Sequence, residues 1–339
     1  MKAYLEKLSV PDKLDRWQQQ WVTAQVILHD KVHKINQTLV AEGKKSRCVL
    51  YLVDAANLNN LKKLSENYDQ IFVISDHIVQ TEHKNVFVYQ LPVDFYGAYY
   101  LDSIPENKTI SRQFNCFINR CDPVRQLWFY SLYLKGWLDS GYVSFNLYAG
   151  YKPGHDGHLL DEKIKLFNDN HDKWLRSLDH VKQDIKNIVP FKNFDESADL
   201  CDLILESKFS LVLETYAERT DCQTLSEKTW RAIQLPRPFL IFAATGCVNR
   251  LRQMGFDLFD EYVNHDYDQY DTRESHSQRH DAIMIEADRL YNYQVTNEVI
   301  ADWEKRATHN RNILRQWHNN WLTKCVDHVE MVARLALEQ

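Results

Sequence analysis

The sequence predicts an α/β protein of two domains, and three observations carry that prediction. Short continuous apolar runs recur and end on polar or charged residues: Cys48–Val53 before Asp54, Ile71–Ser75 before Asp76 and His77, Phe209–Leu213 before Glu214, and Pro238–Ala244 before Thr245. Such runs read as strands of a parallel sheet buried on both faces. Between them lie segments whose apolar residues recur every three or four positions, and this alternation is the pattern of a helix-covered parallel sheet. The third observation is length, since 339 residues suffice for two domains with a core each. The expected fold is therefore two Rossmann-like domains followed by a long C-terminal helical segment.

Residues 1–150 are expected to form the first domain. Leu14, Trp17, Trp21, Ala24, Ile27 and Leu28 place an amphipathic helix within the first 45 residues. Cys48–Val53, Ile71–Ser75 and Val86–Tyr89 follow as strands, with a helix over Leu58–Tyr68. Phe114–Asn119 is a further strand. Asp122 is a natural N-cap with Pro123 at the first helical position, and apolar spacing from Leu127 to Leu138 carries that helix towards Gly141. Tyr142–Asn146 returns as a strand. Pro153, Gly154 and Gly157 mark a break, and a charged helical linker over 151–189 holds the expected domain boundary. Residues 190–300 form the second domain. Residues 301–339 close the chain as a helix whose tryptophans, Trp303, Trp317 and Trp321, read as packing anchors.

The chemistry concentrates between Ser207 and Gly246. Phe209–Leu213 and Pro238–Ala244 are strands, and Glu227–Leu235 lies between them as a helix. Glu214 then stands at the carboxyl end of the first strand, with Glu227, Lys228 and Thr229 at the helix start. In an open α/β sheet that edge is where ligands bind. Lys228, a threonine hydroxyl and the N–H groups of a helix start suit a diphosphate, while Glu214 and Glu227 are acceptors for paired sugar or ribose hydroxyls. Together they describe a nucleotide with a sugar attached. Thr224 and Glu227 also fit a capping box, in which both side chains only satisfy backbone donors. Thr245-Gly246 adds a second small-residue turn opening a helix.

A strand ending in Glu214, a loop, Glu227-Lys228-Thr229 on a helix and then Pro238-Phe-Leu-Ile-Phe242 resembles the donor-binding half of GT-B glycosyltransferases, nearest the fucosyltransferase and exostosin-like families. The likeness covers about residues 205–260. Ser226 stands where those fucosyltransferases have Thr, and Thr215 where they have Asn, so a fucose donor does not carry over. The resemblance implies a metal-independent transfer of sugar from a nucleotide-sugar, which is a co-substrate and not a resident cofactor, in a cleft between the domains. The donor-binding set is Glu214, Thr215, Ser226, Glu227, Lys228 and Thr229. Asn119, Arg120 and Arg125, at the matching strand end of the first domain, are placed to reach a phosphate or the acceptor, with pairing to nearby carboxylates as the plainer alternative for the arginines. Asp94 is the expected catalytic base, in a loop framed by Pro92 and Gly97. The C-terminal helix is expected to pack back on the first domain.

Composition narrows the alternatives. With 44% hydrophobic and 26% charged residues the chain is ordinary globular material. A net charge of −6 and a pI near 6.2 argue against broad electrostatic binding of nucleic acid. Gly-x-Gly-x-x-Gly is absent, which removes the fingerprint of a dinucleotide cofactor. The seven cysteines lack a Cys-x-x-Cys and are expected to be reduced. Asp266 and Asp268 resemble an Asp-x-Asp metal motif, but no buried strand precedes them, so they read as a solvated acidic loop and no metal is assigned. No run approaches the ~20 apolar residues of a membrane span, so a cytoplasmic protein is expected. The acceptor stays open among glycan, protein and small molecule. Two alternatives remain: a non-catalytic nucleotide- or sugar-binding protein, and a glycosyltransferase acting on modified DNA bases.

Overall fold

The computed structural model describes residues 16–52, 59–75, 78–79, 81, 83–90, 104, 106, 108–118, 123–145, 197–214, 217, 222–223, 225–270 and 276–338. It is a mixed α/β structure with a three-stranded and a four-stranded parallel sheet among the described residues. The chain divides into two compact units, one of residues 1–99 with 315–339 and the other of residues 100–314. That division corrects the expected boundary within 151–189. Strands at Arg112–Ile118 and Gly141–Phe145, read as part of the first domain, bond instead into the sheet of the second unit.

The first unit holds α1 (Arg16–Ala41), β1 (Arg47–Leu52), α2 (Asn59–Ser65), β2 (Gln70–Ser75) and β3 (Val86–Gln90). Its sheet runs β1-β2-β3, with Cys48 opposite Ile71 and Ile71 opposite Val86. Strand alternation sends Ile71 and Val73 to the face covered by Leu61 of α2. Val49, Tyr51, Phe72 and Ile74 point the other way, onto Leu28, Val32 and Leu39 of α1 and onto Cys325, Val329, Val332 and Ala336. Each fully buried aliphatic side chain contributes roughly 1.5–3 kcal/mol. The edge strand β1 is closed by Asn36, whose amide donates to Val49 O (2.8 Å) and accepts from Val49 N (2.9 Å). This hook occupies both outward-facing backbone groups of Val49, a standard need at a sheet edge.

The second unit holds β4 (Arg112–Ile118), α3 (Pro123–Leu134), β5 (Gly141–Phe145), α4 (Ser197–Leu205), β6 (Ser207–Leu213), α5 (Glu227–Ala232), β7 (Phe239–Phe242), α6 (Cys247–Gln253) and α7 (His276–Asn292). The last helix, α8, spans Asn297–Glu338, with its residues from 315 onward in the first unit. Helix α3 stops earlier than the spacing predicts, because Gly136 takes a left-handed φ of 68° and Trp137 N closes on Leu132 O at 3.0 Å. The sheet order is β5-β4-β6-β7. Trp128 of α3 packs on Phe242, and Arg279 of α7 lies over the same ring. Phe242 is in register with Leu213, whereas Asn115 and Ser210 point to the opposite face, beside Ile204 of α4 and Ala232 of α5.

Two buried polar networks brace this sheet. Arg237, 1% exposed, donates to the carbonyls of Ser207 (2.9 Å), Pro236 (2.7 Å), Lys108 (2.9 Å) and Leu205. Burial pulls its pKa down to about 10 against the field of Glu304. At the edge strand β7, Ile241 N donates to the Tyr267 hydroxyl (3.0 Å), which lies 2.7 Å from His265 Nδ1, and His265 Nε2 lies 3.0 Å from Leu258 O. Leu258 O only accepts, so Nε2 carries the proton and Nδ1 accepts from the tyrosine. Burial accordingly lowers the pKa of His265. Cys48, Cys116, Cys201, Cys247 and Cys325 are buried free thiols.

Candidate functional site

The order β5-β4-β6-β7 makes the chain leave β4 to one side, through α3 to β5, and then return past β4 to β6 and β7. The helices after β4 and β6 therefore lie on opposite faces, and the strand order reverses between those two strands. In doubly wound sheets the crevice at the carboxyl ends of such strands is the ligand position. Glu214 sits at the end of β6 and Arg125 in the first turn of α3, after β4.

Glu214 is 4% exposed, and three groups of the chain donate to its carboxylate. Ser226 N reaches Oε1 at 2.9 Å, Ser226 Oγ reaches Oε2 at 2.6 Å, and Thr229 Oγ1 reaches Oε1 at 2.5 Å. A carboxylate held so is committed to the start of α5. Ser226 is the N-cap, with extended φ of −104°, and its hydroxyl accepts from Lys228 N (3.4 Å) and from Lys228 Nζ (2.9 Å). The capping box on Thr224 and Glu227 is thereby corrected: Glu227 is the first helical residue, too early to reach back as a box requires.

Capping by others leaves Glu227 and Lys228 facing outward. The Glu227 side chain is 37% exposed and that of Lys228 22%, and their charges lie 3.3 Å apart. Burial pushes the Glu227 pKa up, but Lys228 and Arg231 outweigh it and hold the carboxyl below its ordinary value. Thr229 is fully buried and its hydroxyl is spent on Glu214. The structure thus brings together Glu214, Ser226, Glu227, Lys228 and Thr229. Arg125 is 4% exposed, and its field opposes the burial that pushes the Cys116 thiol up to about 12. Asp94, Asn119, Arg120 and Thr215 lie outside the described residues, as do Asp54, Asp76, His77, Asp122, Thr224 and the linker helix.

The second helix start is also taken. Asp268 accepts from Gly246 N and Asn249 N, both at 3.1 Å, at the beginning of α6, and pairs with Arg279 at 3.0 Å. Asp268 is 7% exposed, so the solvated acidic loop expected at 266–268 is corrected: Asp266 is exposed and Asp268 is a buried cap. The distant Arg279 completes the cap, which local spacing does not reveal. Sequence reading also missed Arg231, whose only signal was its place one turn after Lys228, and the Asn115–Ser210 pair on the sheet.

Among the described residues no cluster of three or more histidines, cysteines or carboxylates is placed to hold a metal, and no helix is long and apolar enough to cross a membrane. No protein-family model, curated protein or solved structure matches the chain.

Proposed function

We propose that the chain is a GT-B-like glycosyltransferase with two Rossmann-like domains, moving a sugar from a nucleotide-sugar to an acceptor hydroxyl without a metal. One observation carries the reading: where the strand order reverses, a carboxylate and an ammonium are presented side by side on a turn fixed from behind by Glu214. Glu227 accepts from a hydroxyl pair of the donor, and Lys228 meets the charge of its diphosphate. Glu214, Ser226 and Thr229 hold that turn in place and do not touch the donor. In the transfer the bond from the anomeric carbon to the diphosphate oxygen breaks with its electron pair leaving on oxygen. The acceptor oxygen bonds that carbon, and its proton passes to a base, for which Asp94 is the candidate. A preorganised cation at the departing diphosphate lowers the barrier without reorganisation of water.

Glu227→Gln tests this directly. The substitution keeps shape, and the Gln carbonyl still accepts from the residue's own backbone N–H at the helix start, so the variant melts with the wild type. Donor affinity or turnover falls roughly ten- to a hundredfold through loss of a charge-assisted hydrogen bond. Unchanged donor affinity and rate in this variant would remove Glu227 from the site. Transfer is expected to survive excess EDTA, and loss restored by manganese would refute the metal-free mechanism.

The closed state of Glu214 and of the α6 start favours a second reading, a nucleotide- or sugar-binding protein without turnover. Donor binding with no transfer and no hydrolysis across a panel of nucleotide-sugars would establish it. Action on modified DNA bases is the third possibility, against which the net charge of −6 weighs.

A further inference from the structure

Residues 265–270 form a strap tied to β7 and to the turn that follows it. Its 3₁₀ turn, Asp266–Gln269, is closed by Asp268 N donating to His265 O at 3.0 Å. At one end of the strap the Tyr267 hydroxyl accepts from Ile241 N and donates to His265 Nδ1, while His265 Nε2 donates to Leu258 O. At the other end Asp268 accepts from Gly246 N and Asn249 N and pairs with Arg279, and Thr245 Oγ1 donates to Tyr270 O at 2.8 Å. His265 and Tyr267 are both buried.

The first tie tolerates one protonation state. Ile241 N–H only donates and Leu258 O only accepts, so the relay through the phenol and the imidazole runs in a single direction. A proton added at Nδ1 would point at an oxygen that already accepts from Ile241 N, and it would leave the phenol proton without an acceptor. Burial pushes the Tyr267 phenol up, so the phenol does not give up that proton to relieve the conflict. Burial also disfavours the charged ring, and so does the field of Arg252, against the Leu258 carbonyl and the fields of Asp260 and Glu286. Those two carboxylates are already engaged. Asp260 is held by Arg252 of α6 through two bonds, 3.1 and 2.6 Å, and Glu286 of α7 is held by Arg289 and by Asn264 N. From β7 the ring meets only apolar surface, the Phe239 side chain with its centroid 6.5 Å away. In the second tie, burial raises the Asp268 carboxyl against Arg279 and three backbone donors.

We propose that this strap is an acid-released latch: a proton taken up by His265 frees the Tyr267 end from Ile241 N and opens the edge of β7, while Asp268 and Arg279 hold the other end as a hinge. Neutral solution keeps the edge closed, and acid exposes a backbone donor with which another strand can pair. Ile241 precedes Phe242, whose carbonyl accepts from Glu214 N at 2.9 Å, so the opening adjoins the turn that carries Glu227 and Lys228, whatever that turn binds.

Amide hydrogen exchange of the full chain at single-residue resolution, corrected for the intrinsic pH dependence of exchange, tests it. A neutral ring closes the latch, so its contribution is present above the ordinary histidine pKa of 6.5 and is lost as pH falls below it. Between pH 7.5 and 5.0 the protection of the Ile241 amide is expected to fall by up to about thirtyfold, the ceiling that the ordinary pKa in the open state sets. That protection is expected to stay below the protection of amides in the central strands β4 and β6, which open only with the whole unit. His265→Gln removes the titrating ring and is expected to abolish the pH dependence at Ile241, and Tyr267→Phe leaves that amide weakly protected at both pH values. Equal protection of Ile241 at both pH values overturns the latch. Exchange of Ile241 in step with the central strands also overturns it, as does a pH dependence that persists in a folded His265→Gln chain. If that variant does not fold, the comparison of Ile241 with the central strands in the wild type decides alone.

Discussion

Replacing Glu214 with Gln isolates what the buried carboxylate does. The amide oxygen still accepts from Ser226 N and Thr229 Oγ1, which share Oε1 in the native side chain. An NH₂ group then replaces Oε2 and faces Ser226 Oγ, which already accepts from Lys228 Nζ and Lys228 N. Two donors meet where a donor met an acceptor, so one charge-assisted hydrogen bond is lost in a buried place. That costs about 1.5–3 kcal/mol. With a guanidinium m-value of roughly 4 kcal/mol/M, the unfolding midpoint falls by roughly 0.4–0.75 M. Fluorescence of Trp128, Trp230 and Trp303, all fully buried in the second unit, reports the transition. Glu227→Gln is the control and keeps the native midpoint. A Glu214→Gln protein that unfolds with the wild type would show that the carboxylate does not hold the start of α5, and the turn presenting Glu227 and Lys228 would lose its support.

Other outcomes follow from the same geometry. Asp268→Ala strips Arg279 of its buried partner and uncaps α6, and is expected to cost about 3–5 kcal/mol in thermal or denaturant unfolding; the double variant with Arg279→Met should recover part of that loss. Burial lowers the pKa of His265 from its ordinary 6.5, so its contribution is full above pH 6.5 and is lost as pH falls from there through the folded value, where the unfolded chain binds the proton first. His265→Gln should flatten that part of the stability profile between pH 7 and 5. Gly246 has a φ of 85° and an added Cβ would lie 2.8 Å from Gln223 Nε2, so Gly246→Ala is expected to destabilise by about 1–3 kcal/mol, measured by melting.

Legibility in the sequence tracked the range of the interactions involved. Apolar runs located β1, β2, β3, β4, β5, β6 and β7, because a strand buried on both faces must be apolar throughout, and the sequence also placed helices at α1, α2, α3, α5 and α8. Membership of a sheet was not legible. Asn115 meets Ser210 across 95 residues of chain, and no local pattern says which strands share a ladder, so the domain boundary was drawn too late. At the site, the sequence marked Glu214, Ser226, Glu227, Lys228 and Thr229 as one group. It did not tell which carboxylate turns inward, since that depends on the loop after β6 bringing Ser226 over Glu214. Asp268 was misread for the same reason: its partner Arg279 and its donors at Gly246 and Asn249 come from two separate segments, both distant in sequence.

The last turns of α8 have a bearing on how the chain is made. Cys325, Val329, Val332 and Ala336 complete the core of a unit whose strands are laid down before residue 91, and Arg47 donates to Ala336 O at 2.9 Å, 289 residues away. At roughly 5–20 residues per second, the apolar surface of Val49, Phe72 and Ile74 waits about 15–60 s on the ribosome for its cover. Helix α1 and the Asn36 hook are available from the start and shield part of it. A chain cut between residues 315 and 325 would keep its second unit whole and leave the first with one bare wall, an attractive target for chaperones and proteases.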